Sequence, residues 1–363
     1  MNNALITFGE IMTRYSPSDY LRLEQVMPGS IDVTFAGAEA NVAVSYSRLG
    51  GESHFVTVLP DNMMGDACIM NLRTHEVGTN HILRVNDGRM GAYYVESGTN
   101  QRPGKVEYDR DYSSLSITEP KKYDWDNIFQ DKTWFHITGI TPAISKNACN
   151  VTRLAVKAAK EANLTVSCDL NFRGKLWRWD KNLSPKELAK KEMHEILKFV
   201  DVVIGNKYQA NDVLAINLEN SGPNRELNQI AESLEISKMI SEKYSSLRYV
   251  AMTLRESLSA NHNRWGALLY DCEKDGSYYS PQQNGEYLPY EITDIVDRLG
   301  AGDSFAASLI FSLHESKLSL KHALNFSVAA SCIAHTIKGD FNIVTAEEVK
   351  KLAEGDSLGR VVR

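Results

Sequence analysis

The sequence predicts an α/β fold: a mainly parallel sheet with helices on both of its faces. Three observations carry this. From residue 133 onward, short apolar runs alternate with amphipathic stretches, the pattern of strand–helix–strand units. Two earlier runs, 90–96 and 105–109, flank the polar segment 97–101 and read as a pair of strands outside that alternation. Near the C-terminal end a strand-like run, 290–296, feeds a small-residue turn. That turn opens a helix with Phe305, Ala306, Leu309, Ile310 and Leu313 on one face.

Taken in order, residues 4–8 form a short apolar strand ending at Gly9-Glu10, and 12–35 are turn-rich without a helical period. Residues 41–49 place Val42, Ala43, Tyr46 and Leu49 on one helical face, 54–59 read as a strand and 66–77 as a helix. Further along, 133–138, 165–170, 202–205 and 249–254 read as strands, and 147–162, 185–199 and 226–244 as helices. No repeat, low-complexity stretch or Pro/Gly-rich linker divides the chain. The expectation is one domain over 1–363.

Composition excludes several functions. The 363 residues are 43% hydrophobic, ample for a large core. A net charge of −6 with no basic stripe argues against a nucleic-acid partner. Cys68, Cys149, Cys168, Cys272 and Cys332 lack C-x-x-C spacing and read as reduced thiols, neither a disulfide frame nor a zinc site. The histidines, among them His136, His262, His314 and His335, show no ligand spacing, so no metal site of protein ligands is expected. The start has no basic region leading into an apolar one, and no apolar stretch is long enough to span a bilayer. A cytoplasmic enzyme without a membrane partner is expected.

The most informative stretch is Asp297-Arg298-Leu299-Gly300-Ala301-Gly302-Asp303-Ser304. Gly300, Ala301 and Gly302 carry almost no side chain, so their N–H groups can converge on an anion at the helix N-terminus. Asp303 would repel that anion unless its carboxylate takes a proton from a hydroxyl attacking a bound phosphoryl group. The other account makes Asp303 an ordinary helix cap. No G-x-x-x-x-G-K-[ST] occurs, so a P-loop is excluded.

This stretch resembles the D-x-x-G-A-G-D signature of the ribokinase-like (PfkB) carbohydrate kinases. Phe35-Ala36-Gly37-Ala38-Glu39-Ala40-Asn41-Val42-Ala43, with Arg48-Leu49-Gly50, is similar to their N-terminal signature, and Asp61 and Gly65 match the next element. The resemblance covers nearly the whole chain. It implies a ribokinase-like fold in which segments near 11–35 and 88–115 form a small β lid, with Asp303 as general base and Gly300–Gly302 as anion hole. Four features resemble one branch, the 2-keto-3-deoxygluconate kinases: the Ala36–Val44 form of the first motif; Tyr108-Asp109-Arg110 in the lid, with Tyr93 on the partner strand; the blocks around Ile140 and Asp169-Leu170-Asn171-Phe172-Arg173; and Lys338-Gly339-Asp340.

That likeness implies a sugar-acid substrate phosphorylated at its terminal hydroxyl, bound by Gly37, Asn41, Tyr93, Tyr108, Arg110, Ile140, Arg173 and Asp340. A carboxylate calls for fixed cations, and guanidinium binds it bidentately, which singles out Arg110 and Arg173. Each also has a bland account: Arg110 as a surface ion pair with Asp109 or Asp111, the tyrosines as strand packing, Asp340 as a turn residue. On the nucleotide side the resemblance implies ATP with Mg²⁺, contacted by Asn171, Asn206 and Thr253. Gln209 stands where relatives carry an acid, and Arg255-Glu256-Ser257-Leu258-Ser259-Ala260 replaces a glycine-rich phosphate loop. Arg255 is expected to supply the charge those glycine N–H groups would. In some relatives a monovalent cation binds near the residue matching Asp297, and dimers form through the lid. Two alternatives stand beside the sugar-acid kinase: a kinase for a neutral sugar such as fructose or ribose, and a sugar-acid binding protein that has lost catalysis.

Overall fold

The computed structural model describes residues 3–216, 218, 229–314 and 318–355. In chain order the strands are β1 (Ala4–Phe8), β2 (Met12–Ser16), β3 (Asp32–Ala36), β4 (Glu52–Pro60), β5 (Ile82–Val85), β6 (Gly91–Glu96) and β7 (Lys105–Asp109). They continue as β8 (Trp134–Thr138), β9 (Thr165–Asp169), β10 (Val202–Gly205), β11 (Tyr249–Ser259), β12 (His262–Asp271) and β13 (Gly276–Ser280). The main sheet runs β13-β12-β11-β10-β9-β8-β1-β4-β5, and a short strand Tyr290–Ile292 pairs with β12. It is parallel from β5 to β11, as the alternation predicts, and β11, β12 and β13 are joined antiparallel. The central strands β1, β8 and β10 are buried along their whole length, which is why they read as apolar runs and not as alternating ones.

Helices cover both faces. Lys146–Glu161 buries Ala148, Val151, Ala155, Val156 and Ala159 on one side of the sheet. Ala38–Arg48 and Ala301–His314 lie on the other. The latter was expected to bury one stripe, yet Ser304, Ala307, Ser308 and Ser312 are buried too. It is sandwiched between the sheet, Ala38–Arg48 and Leu320–Ala334, and Gly302 alone among its residues is exposed. The small Ser304, Ala307, Ser308 and Ser312 beyond the apolar stripe are what let further neighbours approach it.

β3, β2, β6 and β7 form a separate four-stranded sheet, the lid. Its central pair, β2 and β6, is parallel, while the pair read at 90–96 and 105–109 is the antiparallel β6–β7, and β2 and β3 lie in the stretch read as turn-rich. The strand expected at 249–254 continues to Ser259 and turns directly into β12, so the loop expected at Arg255–Ala260 is instead a β-hairpin. The tip of this hairpin reaches the lid: Ala260 N–H donates to Asn100 O (2.8 Å), and Asn100 N–H donates to Asn261 Oδ1 (3.2 Å).

Boundaries differ elsewhere for local reasons. The strand expected at 290–296 ends at Ile292. The helix expected at 66–77 is Met63–Thr74, because Asn62 caps it by accepting from the N–H groups of Met64 and Gly65. The helix expected at 226–244 is described as Gln229–Lys243; residues 226–228 lie outside the described residues. Among the described residues no helix is long and apolar enough to cross a membrane, and all five cysteines are free thiols.

Candidate active site

The carboxyl ends of the parallel strands meet under the lid, where open α/β sheets place their ligands. β1 delivers Glu10, β8 leads to Ile140, β9 to Asn171 and Arg173, and the helix Ala301–His314 presents Asp303. The lid contributes Met12, Ala36, Tyr93, Val106 and Tyr108, and Arg110 follows β7. Together they enclose a cleft of about 90 Å³. It contains all eight residues that the sequence associates with substrate (Gly37, Asn41, Tyr93, Tyr108, Arg110, Ile140, Arg173 and Asp340), along with Asn171, Gly300 and Asp303. Gly37 has a steric reason to be glycine: a Cβ there would lie 2.1 Å from the Glu10 carbonyl oxygen.

Asp303 is buried, with its Oδ2 accepting from Asn41 Nδ2 at 2.6 Å. Burial pushes its carboxyl up to about 8; Asn41 opposes the rise, Asp169 and Asp340 add to it, and Arg173 counters them. Beside it, the N–H groups of Gly300, Ala301 and Gly302 make no hydrogen bond among the described residues, while Ser304 N–H closes the first helical bond to Gly300 O at 2.8 Å. Gly300 has φ +79, and a Cβ on it would meet the Asp340 carbonyl oxygen at 2.1 Å, so only glycine forms this turn. The space above Gly302 is open. Gly300, at the start of a helix N-terminus with free donors, and the Asp303 carboxyl thus line one cleft, where such a carboxyl can exchange a proton with a bound hydroxyl.

Arg110 is no surface ion pair. It is buried, and its Nε and Nη2 donate to Glu10 Oε2 at 2.8 and 2.5 Å; Ser113 Oγ donates to the other oxygen. Asp109, its sequence neighbour, pairs instead with Arg89, because the strand pleat turns the two side chains to opposite sides. The Arg110 guanidinium also lies 5.7 Å from the centre of the Tyr108 ring. Arg173 is exposed, and among the described residues no carboxylate pairs with it. Tyr93 is buried beside Asp340 and Arg14, and burial followed by the Asp340 charge holds its hydroxyl well above the usual range.

The expected nucleotide residues lie outside this cleft except Asn171, whose φ of +32 is a conformation asparagine tolerates well. Asn206 caps the helix Lys207–Leu214, and Gln209 returns the bond by accepting from Asn206 N–H at 3.1 Å. The Gln209 amide oxygen is therefore engaged in a capping box. Thr253 Oγ1 donates to Gly205 O at 3.3 Å. Arg255 projects from the hairpin close to Arg173; partial burial and then the Arg173 charge hold its pKa below the usual value. Arg298, whose Nη2 donates to Ser257 Oγ and Asn263 Oδ1 at 2.8 Å, extends this group of cations. Arg255 and Arg298, neighbouring guanidinium groups with no carboxylate partner among the described residues, fit a polyphosphate, and Arg173 stands between them and the cleft.

The profile of the pfkB family of carbohydrate kinases matches residues 2–344. The chain belongs to the PfkB family of carbohydrate kinases. This carbohydrate kinase is 30% identical over 359 residues to the 2-dehydro-3-deoxygalactonokinase of Haloferax volcanii, covering 99% of each chain. It is 28% identical over 361 residues to Fructokinase-2 of Solanum lycopersicum, covering 97% of this chain and 96% of that protein. The crystal structure of 2-dehydro-3-deoxygluconokinase from Thermotoga maritima superposes with a TM-score of 0.88 at 40% identity, over 98% of this chain and 100% of that one. The ribokinase-like α/β fold and the kinase class expected from the motifs therefore hold.

Sequence reasoning missed Glu10, Arg14 and Asp169. Glu10 and Asp169 each close a parallel strand or follow it directly, and an acid at that edge is itself a signal. Asp169 is buried near Asp303, pushed up to about 6 by burial, with its Oδ1 accepting from Asn171 N–H at 3.0 Å. Arg14 alternates with Met12 on β2, so it shares the face that looks onto the sheet edge.

Proposed function

We propose that this kinase transfers a phosphoryl group from ATP to the terminal hydroxyl of 2-keto-3-deoxygluconate. The observation that carries the reading is the shared cleft of Asp303, of Gly300 in the turn with free N–H groups, and of Arg173, a guanidinium without a carboxylate partner among the described residues. Asn41 holds Asp303 Oδ2 in place and leaves Oδ1 free to take the hydroxyl proton as the sugar oxygen attacks phosphorus. The three N–H groups then stabilise charge gathering on the transferred group. Arg255 and Arg298 would hold the triphosphate, with Asn171 and Asn206 toward the metal side. Mg²⁺ bound to ATP supplies charge neutralisation of the phosphates.

Arg110 is already paired with Glu10, so Arg173 provides most of the attraction for the substrate carboxylate, and Arg110 with Tyr108 orients it. A hydrogen bond to a charged group contributes about 1.5–3 kcal/mol, enough for a tenfold or greater preference over a neutral hexose. The Glu10–Arg110 pairing also gives the neutral-sugar reading its footing, since it lowers the positive charge in the cleft. Coupled ADP release with Mg-ATP separates the two. Turnover on 2-keto-3-deoxygluconate or its galactonate epimer far above that on fructose and ribose is expected. Preference for a neutral sugar overturns the sugar-acid reading, and silence on all four with retained sugar-acid binding points to a binding protein.

A further inference from the structure

The side chain of Arg14 is buried, 3% exposed, between two carboxylates: Nη2 to Asp297 Oδ2 and Nη1 to Asp340 Oδ1, both 2.6 Å. Asp297 has little capacity left. Its Oδ1 accepts from Arg298 N–H (2.8 Å) and Leu299 N–H (3.2 Å), and its Oδ2 also accepts from Gly339 N–H (3.1 Å). Four donors from the protein thus surround the carboxylate that the resemblance connects with a monovalent cation. These residues do not fit such an ion: bringing one to Asp297 means removing a guanidinium and facing outward-pointing N–H dipoles. Among the described residues no group of three or more His, Cys, Asp or Glu side chains is arranged to hold a metal either.

We propose that Arg14 is the resident cation of the anion-hole turn and makes this kinase independent of K⁺ and Na⁺. The turn that offers Gly300, Ala301 and Gly302 begins at Asp297 and rests on the Asp340 carbonyl. Two acidic loops therefore have to be held together for the N–H groups to converge. A metal ion would do this with exchangeable ligands. Arg14 does it from the lid strand β2, with a charge that never dissociates and a planar fork that reaches both carboxylates at once. Arg14 joins lid strand β2 to both loops at once, so the anion hole is complete only when β2 is seated.

The test uses the full chain exchanged into tetramethylammonium salts, then titrated with KCl or NaCl at constant ionic strength. ADP release and thermal melting are read in parallel; melting needs no substrate, so this idea fails or survives separately from the sugar-acid reading. The wild-type rate and Tm are expected to change by less than about twofold in rate and negligibly in Tm. Arg14→Met, which keeps the aliphatic stem and removes the charge, is expected to lose about a hundredfold in kcat. K⁺ or guanidinium should restore at least roughly tenfold of it and raise the Tm of the variant alone. Wild-type activity or Tm that climbs steeply with K⁺ overturns the proposal, as does an Arg14→Met enzyme that keeps full activity in tetramethylammonium. If Arg14→Met does not fold, the wild-type titration still decides.

Discussion

Replacing Asp303 by Asn should separate activity from stability in opposite directions. The change keeps the volume of the side chain, and the amide oxygen still accepts from Asn41. It removes the group that takes the hydroxyl proton, and losing a positioned base costs about 10²–10⁴ in rate, roughly 3–5 kcal/mol of barrier. The fold gains. Burial raises the carboxyl from 3.8 to about 8, so its folded value lies above its unfolded one. Stability from this group is intact below pH 3.8 and erodes as pH climbs toward 8. From 3.8 to pH 7, at about 1.4 kcal/mol per pH step, the erosion is roughly 4 kcal/mol, which the amide does not suffer. Asp303→Asn should therefore melt higher than wild type at pH 7, with a gap that narrows toward pH 4 while ADP release stays nearly abolished. A variant within tenfold of wild-type kcat, or one that melts lower at neutral pH, refutes the account of Asp303 as a strained base.

Other outcomes follow from the same geometry. The wild-type kcat/KM should rise with pH toward an apparent pKa near 8, as Asp303 deprotonates; a profile flat across that range counts against it. Arg173→Ala should raise KM for the sugar acid about tenfold with little change in Tm, because no carboxylate is left unpaired. Arg110→Ala should instead lower stability by about 3–5 kcal/mol by stranding Glu10 in the interior, and Arg110→Ala with Glu10→Gln should recover much of it; equal melting of all three would show the pair to be incidental. Arg255→Ala should raise KM for ATP and leave KM for the sugar acid nearly unchanged; unchanged ATP affinity and rate would remove Arg255 from the nucleotide site.

Much of the fold was legible because the central parallel strands are short, fully buried and punctuated by helices of clear period, as β1, β8, β10 and the helix Lys146–Glu161 show. The residues of the cleft were legible through motifs: Asn41, Arg173, Gly300 and Asp303 stand in separate stretches of the sequence and line one cleft. What escaped was tertiary. Asp109 and Asp111 stand next to Arg110 in sequence, and only the pleat and the approach of β1 reveal that Glu10, a hundred positions away, is its partner. The hairpin at Arg255–Ala260 escaped for another reason: its positions are mostly polar and carry no apolar alternation, so nothing local distinguished a strand from a loop. β5 is half-buried throughout, which blurs the contrast that marks a strand.

The contact between the β11–β12 hairpin and the lid has a consequence for how the two substrates sense one another. Two hydrogen bonds, from Ala260 and to Asn261, join the arm carrying Arg255 to the turn between β6 and β7. Movement of the lid over a sugar acid must break these bonds or carry the arm along, toward the triphosphate or away from it. Occupancy that moves the lid or the arm is expected to alter affinity on the other side, and thermodynamics requires the factor to be the same in both directions. Calorimetric titration of a non-hydrolysable ATP analogue, with and without sugar acid, measures that factor, and Asn261→Ala should bring it toward one. The small polar tip of an exposed hairpin would thus set whether this kinase fills its two sites independently or as a pair.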